Sequence, residues 1–316
     1  MSYKIIGVGS YLPSKIVTND DLAKVLDTTD EWIVTRTGIK QRHIAETEEL
    51  TSDMAAEACR YALKESKLSI NNIDLIICAT TTPDLSFPST SAIISNKLGA
   101  INIPAFDLQA VCSGFIYGLH LSEKLLQSGA YRKILLVASE KMSSLIDWQD
   151  RNTAVLFGDG AGAVILSADS TNFADSLINA DASEYKILQT NGGIASTPGF
   201  CGTIEMKGQS VFKNAVAKMP IELIKLLEKH NLSTRDLDHL LCHQANIRII
   251  ENIQQFLNIE ESKIIKTIAL HANCSAASIP LALDYLYSNN KLHTGQLLGF
   301  CAMGAGLTWG AALLRW

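Results

Sequence analysis

A cysteine, a histidine and an asparagine occupy related places in this sequence, and their types suit acyl-transfer chemistry. Cys112 follows Phe106-Asp107-Leu108-Gln109-Ala110-Val111 and opens a helical pattern. A thiol at a helix N-terminus meets unpaired N–H groups and a partial positive charge, both of which favour the thiolate. Cysteines so placed have pKa values lowered from ~8.5 into the ~3.5–7.5 range, so Cys112 is expected to be a nucleophile at neutral pH. Ser113 and Gly114 leave its approach uncluttered. His243 closes an apolar run and precedes the polar Gln244-Ala245-Asn246, which places its ring at the carboxyl edge of a sheet, where α/β folds bind ligands. Asn273 stands just before the small-residue helix start Cys274-Ser275-Ala276-Ala277-Ser278. Cys59, Cys78 and Cys242 lie within apolar patterns and read as small hydrophobes. His239, Cys242, His243, His271 and Cys274 are metal-ligand types, but neighbours on a strand point to opposite faces. No metal site is expected.

An internal duplication brings the three residues toward one place. Asp74-Leu75-Ile76-Ile77-Cys78-Ala79-Thr80 has the pattern of Asp238-His239-Leu240-Leu241-Cys242-His243-Gln244. Cys112 lies 38 residues after Asp74, and Asn273 lies 35 residues after Asp238. The segment Phe157–Leu166 is echoed by Met303–Leu314. Self-similarity at long period implies repeated structural units, here two halves, 1–168 and 169–316, facing each other. Asp169–Thr203, rich in Asn, Ser, Thr and Gly, is read as their connector.

Short apolar runs alternate with helical patterns, the signature of a mostly parallel sheet covered by helices. Strands are predicted at Lys4–Val8, Leu75–Ala79, Ala105–Leu108, Ile134–Ser139 and Ala163–Leu166, then at Leu240–His243, Ile265–Ala269, Gln296–Cys301 and Gly310–Arg315. Helices are predicted at Ser52–Ser66, Ser89–Leu98, Cys112–Ser128, Val211–His230, Ile247–Leu257 and Ser275–Asn289. Gly158-Asp159-Gly160-Ala161-Gly162 lacks the following GK[ST] and the strand-to-helix context of a P-loop, and is read as a tight turn. With 47% apolar and 19% charged residues, the 316-residue chain can build a large core. A net charge of −5 without basic blocks argues against nucleic acid. No apolar run is long enough to span a bilayer, and the N-terminus reads as a short strand, not a signal peptide. Seven scattered cysteines without a CxxC pair point to reduced thiols and a cytoplasmic location.

Ala110-Val111-Cys112-Ser113-Gly114-Phe115, His243-Gln244-Ala245-Asn246-Ile247-Arg248 and His271-Ala272-Asn273-Cys274-Ser275-Ala276-Ala277-Ser278 closely resemble the active-site motifs of the β-ketoacyl-acyl carrier protein synthase III family. The resemblance runs from Gly38-Ile39-Lys40-Gln41-Arg42 to Gly304-Ala305-Gly306-Leu307-Thr308-Trp309-Gly310. It implies a thiolase-like α/β fold, with two βαβαβαββ halves in five layers, αβαβα. It also implies decarboxylative condensation of an acyl-CoA primer, acetyl-CoA first, with malonyl-acyl carrier protein, in a homodimer without a cofactor. Within this superfamily Cys-His-Asn is similar to the priming synthase, whereas elongating synthases use Cys-His-His. Thiolases carry a second cysteine where Ala302 stands here, with Cys301 one residue out of register.

The roles implied by the resemblance are specific. Cys112 takes the acyl group, His243 and Asn273 serve decarboxylation, and the backbone N–H groups of Cys112 and Ala305 form an oxyanion hole. Trp32, Arg36 and Arg151 would meet the CoA nucleotide, while Thr28, Phe212 and Asn246 line the pantetheine route. Phe87 would reach into the partner's acyl pocket, and Met303 stands beside that pocket where the family usually has Phe. Ala272 and Cys274 replace the usual Gly and Thr around Asn273. Gln254, Gln255 and Phe256 stand where lysines often dock the carrier protein, leaving Lys213 and Arg248 as docking candidates. Other readings are an acyltransferase without a carrier protein, a cysteine hydrolase, or a scaffold that has kept the fold. Retention of all three site residues disfavours the last.

Overall fold

The computed structural model describes residues 2–197 and 199–316. Its main strands in chain order are β1 (Ser2–Tyr11), β2 (Leu75–Ala79), β3 (Ala105–Leu108), β4 (Lys133–Glu140), β5 (Gly160–Asp169), β6 (Ala174–Ala180), β7 (His239–Cys242), β8 (Leu297–Gly304) and β9 (Thr308–Arg315). The main helices are α1 (Asp30–Thr37), α2 (Thr51–Ser66), α3 (Thr90–Leu98), α4 (Gly114–Gln127), α5 (Gly208–Lys229), α6 (Ile247–Leu257) and α7 (Ser278–Ser288). One sheet has the order β1-β5-β4-β2-β3 and the other β6-β9-β8-β7, the latter extended by a single bridge from Leu240 to Ile264. Matching β1 to β6, β5 to β9, β4 to β8 and β2 to β7, the two orders are the same.

Residue alternation explains why the sheets stack. In β4, Ile134, Leu136 and Ala138 join the central core, while Leu135 and Val137 join the outer one. In β8, Leu298, Phe300 and Ala302 face the centre, and Leu297, Cys301 and Met303 face outward. Strands buried on both faces must be apolar throughout, so these runs are nearly unbroken. Helices α4 and α7 fill the space between the sheets through Phe115, Ile116, Leu119 and Leu126, and Ile279, Leu283 and Leu286. Helix α4 stops before Gly129, whose φ of +77° suits glycine. Helices α2 and α3 cover one outer face and α5 and α6 the other. The result is five layers, helix-sheet-helix-sheet-helix.

Three sequence expectations are corrected. The sheets are mixed, because β4–β5, β5–β1, β8–β9 and β9–β6 pair antiparallel. The turn between Gly304 and Thr308 is far too short for a parallel crossover. Asp169–Thr203 is no plain connector, since it supplies β6, whose residues from Ala174 to Ala180 pair with β9. Ile265–Ala269 is not a strand, and Ile268–His271 is a helical turn. The buried Gln244 takes the backbone groups that a ladder would have used. Its Oε1 accepts from the N–H groups of Thr267 and Ile268 at 2.9 and 3.1 Å, and its Nε2 donates to the carbonyls of Cys242 and Ile265.

The duplication is visible in the acids that begin each unit. Asp74 accepts from the N–H groups of Arg132 and Lys133, and Asp238 accepts from that of Leu297. Both clamp the first residue of the equivalent strand, β4 or β8. Replacing Gln244 by leucine would orphan two buried N–H groups, each costing about 1–3 kcal/mol. Gln244→Leu is expected to lose roughly 3 kcal/mol in urea denaturation, and a loss below about 1 kcal/mol would contradict this reading of the segment.

Candidate active site

The strand ends and helix starts of both halves open onto one cavity of about 1070 Å³. Cys112, His243, Asn273, Met303 and Ala305 line it, with Arg36, Phe212, Lys213, Asn246 and Arg248. Cys112 sits in a single 3-10 turn, Val111–Ser113, ahead of α4. Val111 has φ +48°, an outlier for a β-branched residue. Such a conformation costs of order 1–3 kcal/mol and persists only where its surroundings impose it. The glycine loop imposes it here. A Cβ built on Gly304 would lie 2.6 Å from the Ala110 carbonyl and 2.8 Å from the Cys112 nitrogen, so only glycine lets β8 approach this closely. The Thr308 hydroxyl closes the contact, 2.8 Å from Ser113 Oγ, 3.0 Å from the Ala110 carbonyl and 3.1 Å from that of Ala305.

Asn273 is held from the other half. Its N–H donates to the Leu156 carbonyl at 3.0 Å and its carbonyl accepts from Gly158 at 3.1 Å. Its Oδ1 accepts from the Ser275 N–H at 2.9 Å. With the oxygen occupied, the amide NH₂ is the end left to donate into the cavity. His243 donates its backbone N–H to the Cys301 carbonyl at 2.9 Å. Its ring is buried, and Nδ1 has no partner. Burial pushes the imidazole down to about 4, so at neutral pH the ring is uncharged and carries one N–H donor.

The chain that carries these groups is similar to known proteins. Residues 106–182 match the family model described as 3-Oxoacyl-[acyl-carrier-protein (ACP)] synthase III, and residues 227–316 match its C-terminal counterpart. Over the full length of both chains, this one is 54% identical to the beta-ketoacyl-[acyl-carrier-protein] synthase III of Rickettsia felis and 53% identical to that of Rickettsia bellii. The chain belongs to the β-ketoacyl-[acyl-carrier-protein] synthase III family. Its fold superposes on the 3-oxoacyl-[acyl-carrier-protein] synthase III of Aquifex aeolicus with a TM-score of 0.95 at 43% identity, covering 99% of this chain and 100% of that one. The corresponding Pseudomonas aeruginosa structure gives 0.94 at 36% identity, covering 100% and 98%. The fold is thiolase-like, and the protein is a condensing acyltransferase that initiates fatty acid synthesis.

Several sequence expectations need correction in this setting. The synthase thiol is not poised as a free thiolate. Burial pushes Cys112 up to about 12; a Ser275 hydrogen bond opposes this and nearby Glu140 adds to it. Burial is the largest influence on this thiol. Asn273 is not the duplicate of Cys112. Ser275 has φ +47° and begins the 3-10 turn Ser275–Ala277, so it matches Val111, and Ala276 matches Cys112. Ala276 lies 38 residues after Asp238, the spacing from Asp74 to Cys112. Asn273 reaches the site from three residues upstream.

The remaining predicted residues divide. Trp32 lies outside the cavity lining, with the guanidinium carbons of Arg36 and Arg151 4.5 and 4.9 Å from its ring centroid. Arg151 Nη1 donates to the Asp27 carbonyl at 2.7 Å. The Thr28 hydroxyl is buried without a partner, and Thr28 does not line the cavity. Phe87 is 85% exposed and lies outside the cavity lining. Cys242 packs outward, 3.6 Å from Cys301 Sγ, away from His243. Among the described residues no cluster of three His, Cys, Asp or Glu side chains could hold a metal ion, and no helix is long and apolar enough to cross a membrane. Sequence reasoning missed Glu140 and Ser275. The available signal was an ionisable residue ending the otherwise apolar run Ile134-Leu135-Leu136-Val137-Ala138-Ser139-Glu140.

Because the folded ring of His243 resists protonation until about pH 4 while an unfolded histidine titrates near ~6.5, the unfolded state binds more protons between these values. Stability therefore falls as pH drops through that window, and half-buried His271, also lowered to about 4, chiefly by desolvation, adds in the same direction. NMR of the His243 ring should show one neutral tautomer from pH 8 down to about 5. A midpoint between about 6 and 7 would contradict the neutral-donor assignment.

Proposed function

We propose that the protein transfers an acyl group, acetyl first, from acyl-CoA to Cys112 and then condenses it with malonyl-acyl carrier protein. The observation that carries this reading is the meeting of a buried thiol and two neutral donors, from opposite halves, on one largely apolar cavity. Division of the chain at 1–168 and 169–316 gives one half the nucleophile and the other the donors.

In the first stage the Cys112 sulfur attacks the thioester carbonyl, its proton leaves with the CoA thiolate, and the acyl group stays on sulfur. The backbone N–H groups of Cys112 and Ala305 meet the tetrahedral oxyanion, and one such donor is worth ~2.7–4 kcal/mol. In the second stage the bond from the malonyl α-carbon to its carboxylate breaks, releasing CO₂. The electron pair moves into an enolate whose oxygen takes hydrogen bonds from His243 and the Asn273 NH₂. The α-carbon then attacks the acyl carbonyl and the Cys112 thiolate departs, giving a 3-ketoacyl product. Two uncharged donors suit a carbanion made by losing CO₂, since no base has to remove a proton. The reaction is ping-pong and calls on no metal or cofactor.

The apolar residues Phe212, Met303, Leu188, Ile204 and Met206 suit pantetheine and a short acyl chain. Asn246 continues the pantetheine route along the cavity, and Trp32 with Arg36 and Arg151 offers an aromatic and cationic platform for the nucleotide. Lys213 and Arg248 at the same cavity suit an acidic carrier protein. The homodimer is supported by β3, an edge strand, with Leu85, Phe87, Ile101 and Phe106 exposed. Phe87 would enter the partner's acyl pocket. Free cysteines throughout support a reducing cytoplasm.

Intact-protein mass spectrometry after mixing with acetyl-CoA should show one acetyl increment, discharged by malonyl-acyl carrier protein with formation of the acetoacetyl product. Cys112→Ala should show no increment. His243→Ala and Asn273→Ala should keep most acylation but lose at least about a hundredfold in decarboxylation. Equal loss of both half-reactions in all three variants would overturn the role assignment. Acetylation without discharge would favour an acyltransferase that needs no carrier protein.

A further inference from the structure

Glu140 ends β4 completely buried, at the junction of the two halves, and no step described above uses it. Its carboxyl group accepts hydrogen bonds from both halves, the Ala276 N–H among the donors. Its Oε2 accepts from the Thr81 N–H at 2.9 Å and the Thr82 hydroxyl at 3.0 Å, with the Thr80 hydroxyl at 3.4 Å. Its Oε1 accepts from the Ser275 hydroxyl at 3.0 Å. A carboxyl group in such a place is costly to bury, and burial raises it to about 7 against these donors.

Ser275 is the residue whose restraint matters. It adopts φ +47° without being glycine, and its hydroxyl on Glu140 and its N–H on Asn273 Oδ1 are among the contacts that hold it. Take away the first and the turn can relax, which moves the N–H off the Asn273 oxygen. The amide is then free to rotate and present an oxygen where an enolate needs a donor. The same Ser275 hydroxyl also reaches the Cys112 sulfur.

Resting on the condensing reading above, we infer that Glu140 is a positioning residue: through the Ser275 hydroxyl it fixes the orientation in which Asn273 offers its NH₂ to the reacting thioester. It touches neither substrate nor reacting atoms. The chain thereby uses a buried acid of one half to aim an amide of the other.

A double-mutant cycle on the full-length protein tests this. Malonyl-acyl carrier protein decarboxylation is measured for wild type, Glu140→Gln, Asn273→Ala and the pair, with folding followed by circular dichroism. Glu140→Gln alone should lose roughly ten- to hundredfold, the worth of a charge-assisted hydrogen bond. Added to Asn273→Ala it should lose less than about threefold more, because the group it aims is already gone. Losses that multiply, or a Glu140→Gln rate within about twofold of wild type, would overturn the assignment. A merely structural role gives multiplying losses together with a lowered melting temperature. Should Glu140→Gln fail to fold, Ser275→Ala enters the same cycle and is judged by the same two results. An inert wild-type protein would overturn the condensing reading and this assignment with it, whereas an active one with multiplying losses overturns this assignment alone.

Discussion

The first turns of α4 and α7 touch with no side chain of any size between them, and the site depends on that contact. Gly114 begins α4, and a Cβ added there would stand 3.2 Å from the Ala79 Cβ and 3.3 Å from the Ala276 Cβ. Ala276 is the duplicate of Cys112, so the two turns meet close to the axis that relates the halves. Small residues on both sides let two helix starts share one space, which a larger residue would pry apart. Backbone hydrogen bonds from Asn273 to Leu156 and Gly158 then lock the register between the halves. Gly304 lets the β8–β9 turn close over the nucleophile from the third side.

The second constraint is electrostatic. The cavity joins a buried thiol, a neutral imidazole and an amide, and none of these carries charge at neutral pH in the free protein. Fixed dipoles aimed at a developing negative charge need no reorganisation when it appears, and a water-poor setting strengthens them. The same burial that raises the thiol also strengthens every donor once the acyl oxyanion or the enolate forms. Charge is kept to the mouth, where Arg36, Lys213 and Arg248 stand. Deeper in, the fully buried Arg42 serves structure, donating to the carbonyls of Val17 and Val155 and to Asn19 Oδ1. It ties the N-terminal segment to the chain that carries Leu156.

Much of this was legible in the sequence because it is written in local pattern. The core strands are continuous apolar runs, and Asp74 and Asp238 mark equivalent starts. The motifs around Cys112, His243 and Asn273 are contiguous. What escaped depends on contacts far apart in the chain. Gln244 dissolves an apparent strand at Ile265 by taking its backbone groups, which no local pattern records. The register of the duplication hung on matching backbone conformations at Val111 and Ser275, not on residue type, so Asn273 was paired with Cys112 when Ala276 is its counterpart. Helix-terminus reasoning left out the burial that pushes the Cys112 thiol up, because exposure cannot be read from spacing. Glu140 stands just past the strand expected at Ile134–Ser139, and its meaning comes only from Ser275, 135 residues later.

The central claim is that residues of two halves divide one reaction between two sets of donors. A crystal structure of the protein trapped after reaction with acetyl-CoA tests it most directly. The account predicts an acetyl thioester on Cys112 Sγ, its oxygen against the N–H groups of Cys112 and Ala305, with His243 and the Asn273 NH₂ left free for the second substrate. An acetyl group on another side chain, or a carbonyl oxygen bound by His243 and Asn273 in place of the backbone pair, would contradict it.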